Sequence, residues 1–180
     1  HKYDLILQAT PEYLTDKSVW FPSAFDDTLI KPLDVPKKHY IGFCGNYANR
    51  KEYVDLVDNL VGIKRDIFVI GDAMVEAINS YQIHLNKNIS NDLNFRSFET
   101  IGCNTVLLTN YNIHYEQLGF QHGINCLMYK DVSDLRDIVV SSRSDLQEIS
   151  DNGFKLSSRH TYLNRAKGII KLYNSVAGNK

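Results

Sequence analysis

The sequence predicts an α/β fold, a doubly wound parallel sheet of the Rossmann-like kind. Two observations predict it. From His39 onward, short apolar runs of strand length alternate with segments whose apolar residues recur every three or four positions. Several of these apolar runs end at a glycine or asparagine turn. Strands that alternate with helices form right-handed crossovers and a parallel sheet, whose ligands lie beyond the carboxyl ends of the strands.

Length and composition indicate an ordinary globular chain. It has 180 residues, 43% hydrophobic and 23% charged, enough for one domain with a real core. The net charge of −1, without any basic run, argues against nucleic acid as a partner. No apolar run approaches membrane-spanning length, so no transmembrane segment is expected, and no signal-peptide pattern is seen.

The cysteines favour a reducing, cytoplasmic setting. Cys44, Cys103 and Cys126 lie in apolar surroundings and share no CxxC spacing, so we interpret them as reduced core residues. No cluster of metal ligands is visible. Because the chain starts at His1 and passes directly into an apolar strand, we expect it to be a piece of a larger protein.

We divide the chain at residue 38. Residues 1–38 are interpreted as a strand and linker from or toward another half, and residues 39–180 as a Rossmann-like domain. Within the first part we expect a strand at Tyr3–Leu7, a helical turn in Thr10–Asp16, an apolar segment at Val19–Phe21 and an irregular linker or surface wrap at Pro22–Lys38.

The second part contains the regular elements. The predicted strands are Tyr40–Cys44, Asp66–Ile70, Gln82–Leu85, Thr105–Thr109 and Asn125–Tyr129. The predicted helices run from an Asn49 cap to Gly62, from an Asp72 cap through Ile78, over Phe95–Ile101, within Tyr111–Gly119, and over Ser133–Val140, Ser144–Ser157 with a break near Gly153, and Thr161–Val176.

The stretch Ile83–Thr109 carries the main functional hypothesis. Asn94 is predicted to cap the helix after the polar loop Asn86–Asn94, which places free backbone N–H groups at a strand's carboxyl end. The N-terminus of a helix attracts phosphate, and Glu99, one turn further along this helix, could reach a sugar hydroxyl. The alternative is that Asn94 only caps and that Arg96 and Glu99 form a surface ion pair.

A second phosphate-binding turn is expected at GFCGNYANRK. Gly45 permits close approach of a ligand, Asn46 tolerates a tight turn, and Arg50 adds a positive charge near the start of the next helix. The stretch lacks both GxGxxG and a P-loop GK[ST]. A dinucleotide oxidoreductase is therefore disfavoured.

Four runs together resemble the carboxyl-terminal half of group 1 family glycosyltransferases of GT-B architecture, in particular a branch that includes spore-coat-associated transferases. They are GFCGNYANR, HLNKNISNDLNFRSFETIGCNTVLLTNY, QLGFQHGINCLMYKDVSDLRDIV and RHTYLNRA, and the resemblance spans Val19 to about Arg165. In that family this half binds the nucleotide-sugar donor.

The resemblance implies roles for individual residues. Glu99 matches the glutamate that holds the donor ribose, and Arg96 the arginine one turn earlier. Gly45 and Arg50 match the phosphate-side turn and its basic residue. Asn86 and Asp92 match polar positions that line the donor pocket. One departure is Asn91, which stands where many relatives carry a second acidic residue.

The resulting expectation is a glycosyltransferase domain. Its partners would be a UDP- or GDP-linked sugar, a glycan or protein acceptor, and an N-terminal half that holds the acceptor. No metal or other cofactor is expected, no catalytic residue is assigned, and the isolated fragment should turn over weakly or not at all. The alternative, kept open by Asn91, is a non-catalytic α/β module that binds a nucleotide or a protein.

Overall fold

The structure, a computed structural model, describes residues 3–177 and is organised around parallel β-strands. The strands are β1 (Ile6–Gln8), β2 (Ser18–Trp20), β3 (His39–Gly45), β4 (Lys64–Ile67), β5 (Tyr81–Leu85), β6 (Val106–Asn110) and β7 (Leu127–Tyr129). The helices are α1 (Lys51–Val61), α2 (Gly71–Asn79), α3 (Phe95–Gly102), α4 (Ile113–Gln117), α5 (Val132–Val140), α6 (Leu146–Ser157) and α7 (Tyr162–Ala177). Residues 1, 2 and 178–180, which the predicted segments 1–38 and 39–180 include, lie outside the described residues.

The main sheet confirms the predicted fold class. Its five strands are all parallel, in the order β4-β3-β5-β6-β7, while β1 and β2 form a separate parallel pair. The chain leaves β3 for the edge strand β4 and then returns to the other side of β3 as β5. The strand order therefore reverses between β3 and β5, which is where doubly wound sheets open a crevice for ligands.

The register shows this opening directly. The last pair between β3 and β5 is Gly42 with His84, whereas β3 stays paired with β4 as far as Gly45 with Ile67. The backbone at the end of β3 is therefore not paired with that of β5. This gap lies at the carboxyl edge of the sheet.

Both faces of the sheet are buried, as expected when helices cover each side. In β6, Leu107 packs into a cluster with Phe98 and Ile101 of α3, while Val106 and Leu108 pack on the opposite face with α1 and α5. This alternation follows from the two-residue period of a strand. The site is thus built on a rigid, two-sided core.

Residues 22–38 form an irregular wrap that packs on the sheet domain. Phe25 and Ile30 are buried in the same cluster as α3. The Phe25 N–H donates to the His160 carbonyl at 3.2 Å, and the Tyr162 N–H donates to the Phe25 carbonyl at 2.9 Å. The wrap is therefore tied to the start of α7.

One strand prediction is wrong in its bounds. The apolar run Asp66–Ile70 was expected to form a strand, but β4 ends at Ile67. Phe68 has φ of 58°, which turns the chain away from the sheet, and the Phe68 and Ile70 side chains are 73% and 79% exposed. Because β4 is an edge strand, the sheet does not require this run to be buried.

Two predicted helix caps are also wrong. Asn49 lies inside a 3-10 turn, Ala48–Arg50, and α1 begins only at Lys51. Asp72 is within the first turn of α2, which begins at Gly71 after Ile70. Gly62 ends α1 as predicted, with φ of 75°. The local polar residues marked the turns but not their boundary residues.

The expected break near Gly153 is absent, because α6 is continuous from Leu146 to Ser157. A Cβ at position 153 would lie 2.8 Å from the Asn125 carbonyl oxygen and 3.2 Å from Ile101 Cγ2. The glycine therefore serves close packing of α6 against its neighbours.

Candidate functional site

A cleft of about 420 Å³ opens at the carboxyl ends of β3 and β5, where the strand order reverses. Its walls come from the end of β3, the turn after it, the start and first turns of α3, and the start of α7. The lining residues are Phe43, Cys44, Gly45, Asn46, Arg50, Asn86, Asn94, Phe95, Arg96, Glu99 and Tyr162. Seven of the eight residues predicted from the sequence are thus brought to one place.

The eighth, Asp92, is not in the lining. It accepts a hydrogen bond from Ser90 Oγ within the loop that precedes α3. The backbone of that loop instead brings Asn94 to the cleft. A polar residue in a loop can be assigned to a pocket by its position in sequence, but the loop path decides which side chain enters it.

The floor of the cleft at Gly45 is open. A Cβ at this position would meet only the Phe43 ring among the described residues, at 3.6 Å. The Asn46 Oδ1 accepts a hydrogen bond from the Ala48 N–H at 3.0 Å, which closes the tight turn. A ligand can therefore approach the backbone at the end of β3.

Arg50 places a positive charge on one wall. Its Nε donates to the Lys87 carbonyl at 2.9 Å and one Nη donates to the Asn46 carbonyl at 3.3 Å, which fixes the guanidinium. Within residues 3–177, no carboxylate forms an ion pair with Arg50. Burial, and next the charge of Arg96, lower the pKa of Arg50. An anion in the cleft would relieve this repulsion between two arginines.

The N-terminus of α3 has backbone N–H groups without an acceptor in the described part of the chain. Asn94 stands at the N-cap as predicted, but its side chain makes no capping hydrogen bond. Instead its Nδ2 donates to Asn86 Oδ1 at 3.1 Å, and its Oδ1 is buried without a partner in the described part of the chain. No acceptor there reaches the N–H of Phe95 or Arg96 either. These groups suit an anionic ligand.

Arg96 and Glu99 form an ion pair inside the cleft. The Arg96 Nη1 and Glu99 Oε2 are 2.7 Å apart, and each side chain is only 20% exposed. The pair is thus not the surface pair of the alternative interpretation. Burial raises the pKa of Glu99, and Arg96 opposes that shift. Because one oxygen faces Arg96, the other can accept from a ligand hydroxyl.

A buried polar network supports the loop beneath the cleft. Asn86 Nδ2 donates to Ser97 Oγ at 3.2 Å and to Thr109 Oγ1 at 3.3 Å. The Tyr115 hydroxyl lies 2.6 Å from Ser97 Oγ and accepts from Asn88 Nδ2 at 2.7 Å. The network joins β5, α3, β6 and α4, so the cleft is held in shape before any ligand arrives.

His84 is a structural residue. It is fully buried, and its Nε2 accepts from the Cys44 N–H at 3.2 Å. Its Nδ1 therefore carries the proton and donates to Thr100 Oγ1 at 2.6 Å. Burial lowers its pKa to about 3, with a further contribution from Arg96. The neutral ring bridges β3 and α3 where the strands separate.

Four lining residues were not predicted from the sequence: Phe43, Cys44, Phe95 and Tyr162. Phe43 and Cys44 look like ordinary strand residues, and no local pattern marks them. Phe95 precedes Arg96 at the start of α3. Tyr162 stands in the motif RHTYLNRA, which the sequence analysis quoted but did not assign to the site.

In residues 3–177 no group of three or more His, Cys, Asp or Glu side chains could hold a metal ion. Cys44, Cys103 and Cys126 are buried and unbridged, as predicted. No helix in this part of the chain combines the length and apolarity needed to cross a bilayer.

Comparison with solved structures shows where this fold recurs. Anabaena HepE, solved in complex with UDP, superposes with a TM-score of 0.78 at 11% identity, over 96% of this chain and 64% of that one. Sucrose-phosphate synthase from Thermosynechococcus elongatus gives 0.76 at 10% identity, over 98% and 59%. This chain therefore spans about three fifths of the length of those two proteins.

A separately solved domain matches over nearly its whole length. The C-terminal domain of LpcC, a group 1 family glycosyl transferase from Francisella tularensis, gives a TM-score of 0.61 at 10% identity. The match covers 76% of this chain and 98% of that domain. The fold is thus that of the C-terminal domains of GT-B glycosyltransferases.

These structural matches are too distant in sequence to show the protein family, but the sequence itself does show it. No curated protein sequence matches the chain significantly. A family model described as glycosyl transferase-like matches residues 29–171, which include every residue of the cleft. The chain therefore belongs to the glycosyl transferase-like family.

Proposed function

We propose that this domain binds the nucleotide-sugar donor of a glycosyltransferase, with a UDP- or GDP-linked sugar as the donor. One observation supports the proposal above the others. Residues from three separated segments, chosen on the sequence, line a single cleft at the switch point of the sheet. They combine an arginine without an ion-pair partner in residues 3–177, the N-terminus of α3 and a partly buried carboxylate, which suit a diphosphate and a ribose.

The proposed mechanism is positioning and electrostatic stabilisation. Arg50 and the N–H groups at the start of α3 would bind the diphosphate, while Glu99 would accept a hydrogen bond from the ribose. As the bond between sugar and phosphate breaks, negative charge grows on the departing diphosphate. Fixed positive groups in a partly buried site favour that charge. Arg96, paired with Glu99, would link the two parts of the donor.

The same groups indicate whether donor binding needs a metal ion. The charge of Arg50 and the N–H groups at the N-terminus of α3 can offset the diphosphate charge, so we propose that donor binding requires no metal ion. Titration of UDP in the presence of EDTA should then give the same affinity as titration with added magnesium. A large gain with magnesium would contradict this part of the proposal.

The remaining steps are proposed to depend on a second domain. An N-terminal half would hold the glycan or protein acceptor and supply any general base, so the isolated domain would transfer a hexosyl or similar group weakly or not at all. We further propose a cytoplasmic setting and a relationship to the spore-coat-associated branch. The likeness of the sequence motifs supports that branch.

A direct binding experiment tests the proposal. Isothermal titration calorimetry of the folded chain with UDP, GDP and ADP should show one nucleotide binding with a Kd of about 1 mM or tighter. HepE, with 96% of this chain superposed, was solved with UDP-glucose, which makes UDP the first ligand to try. If the folded chain binds neither UDP nor GDP, the proposal is wrong, and ADP serves as the comparison nucleotide. The family assignment disfavours the alternative of a non-catalytic module.

A further inference from the structure

The segment His160–Arg165, from the motif RHTYLNRA, is held by hydrogen bonds and ring contacts on two sides. His160 is buried, its Nε2 donates to the Leu118 carbonyl at 3.0 Å, and its ring packs on Phe98 and stacks on Phe120. Arg165 donates to His160 Nδ1 at 3.2 Å. The first residue of this segment is thus fixed in the core beside α3.

The wrap before the sheet domain holds the segment from the other side. The Tyr162 N–H donates to the Phe25 carbonyl at 2.9 Å. Arg165 Nε donates to the Pro22 carbonyl at 2.9 Å, and its Nη2 to the Ser23 carbonyl at 3.2 Å. The backbone at the start of α7 therefore has one position relative to the cleft.

Tyr162 differs from its anchored neighbours. Its side chain is 50% exposed, whereas His160 and Thr161 are buried. It lines the cleft together with Phe95 and Glu99. Burial, followed by the charge of Glu99 and then of Asp26, raises the pKa of its hydroxyl, consistent with a ring next to Glu99. An aromatic ring is thus presented to the cleft by a rigid support.

We propose that Tyr162 is a ligand-binding residue whose ring packs against the nucleoside of the donor. The inference rests on the function proposed above and extends it. Arg50 and the mouth of α3 occupy the phosphate end of the cleft, and Glu99 is the group proposed to hold the ribose. A ring beside Glu99 is therefore at the nucleoside end. A ring face packs well on flat bases and on the apolar faces of sugars.

The test measures separately how the nucleoside end and the phosphate end of the ligand contribute to binding. Calorimetry of the full 180-residue chain would use whichever of UDP and GDP binds more tightly, and inorganic pyrophosphate as a probe of the phosphate end. Tyr162→Ala should weaken nucleoside diphosphate binding about five- to fiftyfold, on the scale of base–aromatic stacking. Pyrophosphate binding should change less than about twofold, because Arg50 is untouched. Tyr162→Phe should bind like the wild type, since the ring remains.

Two further variants control for folding. Tyr173→Ala removes a tyrosine that is 69% exposed on the same helix and lies outside the cleft, and it should not change either affinity. Tyr162→Leu keeps an apolar side chain at the start of α7, and it should still lose nucleotide affinity. Thermal unfolding of each variant should stay close to the wild type.

The outcomes separate this inference from the proposed function. If the wild-type chain binds neither UDP nor GDP, the proposed function fails and this inference fails with it. If the wild type binds but Tyr162→Ala binds equally well, only the role of Tyr162 is wrong. In that case the ring would be a packing surface for another domain. Equal loss of nucleotide and pyrophosphate affinity would also overturn the inference, because it would indicate a distorted cleft.

Discussion

Burial and a neighbouring positive charge shift the pKa of Glu99 in opposite directions. Burial raises its pKa, while Arg96 at 2.7 Å opposes the shift. Since the folded pKa lies above the ordinary value, folding favours the protonated form. Any stability linked to Glu99 is therefore present at low pH and lost as pH rises through the folded pKa.

Replacement of Glu99 by Gln should weaken nucleoside diphosphate binding. The change keeps the shape but removes a charged acceptor, whose hydrogen bonds contribute about 1.5–3 kcal/mol, or roughly ten- to a hundredfold in affinity. Calorimetry with UDP measures the loss. Glu148→Gln, an exposed position on α6, is the matched control and should have no effect. Unchanged affinity in a folded Glu99→Gln variant would return the residue to a structural ion pair.

Replacement of Arg50 by Met should act on the phosphate end. Met keeps much of the side-chain length but removes the one cleft arginine without an ion-pair partner in residues 3–177. We expect pyrophosphate affinity to fall at least about tenfold, since charge-assisted bonds are among the stronger ones. Arg136→Met, exposed on α5, is the control. A loss for both variants would indicate general electrostatic attraction instead of a site.

At the scale of elements, helix α6 shows how packing decides what local sequence cannot. Gly153 was expected to break the helix, since glycine is a poor helix former. In the fold it allows α6 to approach the Asn125 carbonyl and Ile101. Similarly, the apolar run after Asp66 does not extend β4, because an edge strand at the periphery buries little. Both outcomes depend on neighbours that are distant in sequence.

The Gly153 interpretation predicts opposite effects of alanine at two helical glycines. Gly153→Ala should lower the free energy of unfolding by about 1–3 kcal/mol, because the new Cβ lies 2.8 Å from a backbone oxygen that cannot move aside easily. For Gly168→Ala on α7, the nearest described atom outside the helix backbone is Phe21 Cε2 at 4.0 Å, so this change should raise the free energy of unfolding by about 0.5–1 kcal/mol. Urea unfolding of both variants measures the difference. A stabilised Gly153→Ala would contradict the packing explanation.

The positions of the cleft residues were easier to predict from the sequence than the contacts that hold those residues in place. The strand-to-helix turns at Gly45 and Asn94 are local, so their placement at the carboxyl edge followed from the sheet topology. The role of the Asn94 side chain was not predictable, because Asn86, eight positions earlier, competes for it. Tyr162 is held at the cleft by the wrap around Phe25 and by His160 packed on α3. Contacts between such distant segments leave no periodic signal.

For the whole molecule, two buried histidines make stability depend on pH. Burial lowers the pKa of His84 to about 3 and that of His160 to about 4, both below the ordinary value of 6.5. The unfolded chain therefore binds protons that the folded chain does not as pH falls below 6.5. The stabilising contribution is complete above that pH and is lost on acidification toward the folded values.

The expected loss can be measured. Between pH 7 and pH 5 the free energy of unfolding should fall by up to roughly 2 kcal/mol for each histidine. Urea unfolding at several pH values gives the slope, and NMR of the imidazole nitrogens should show both rings neutral at pH 5. If either ring in the folded chain gains a proton near pH 6.5, the buried neutral assignment is wrong.

A crystal structure of the chain with bound UDP tests the central claim most directly. The account predicts diphosphate oxygens within about 3 Å of the Arg50 guanidinium or of the Phe95 and Arg96 N–H groups. It also predicts a ribose hydroxyl bonded to Glu99, with the Tyr162 ring against the nucleoside. UDP bound away from the carboxyl ends of β3 and β5, or bound there with Glu99 and Arg50 contacting only protein, would contradict it.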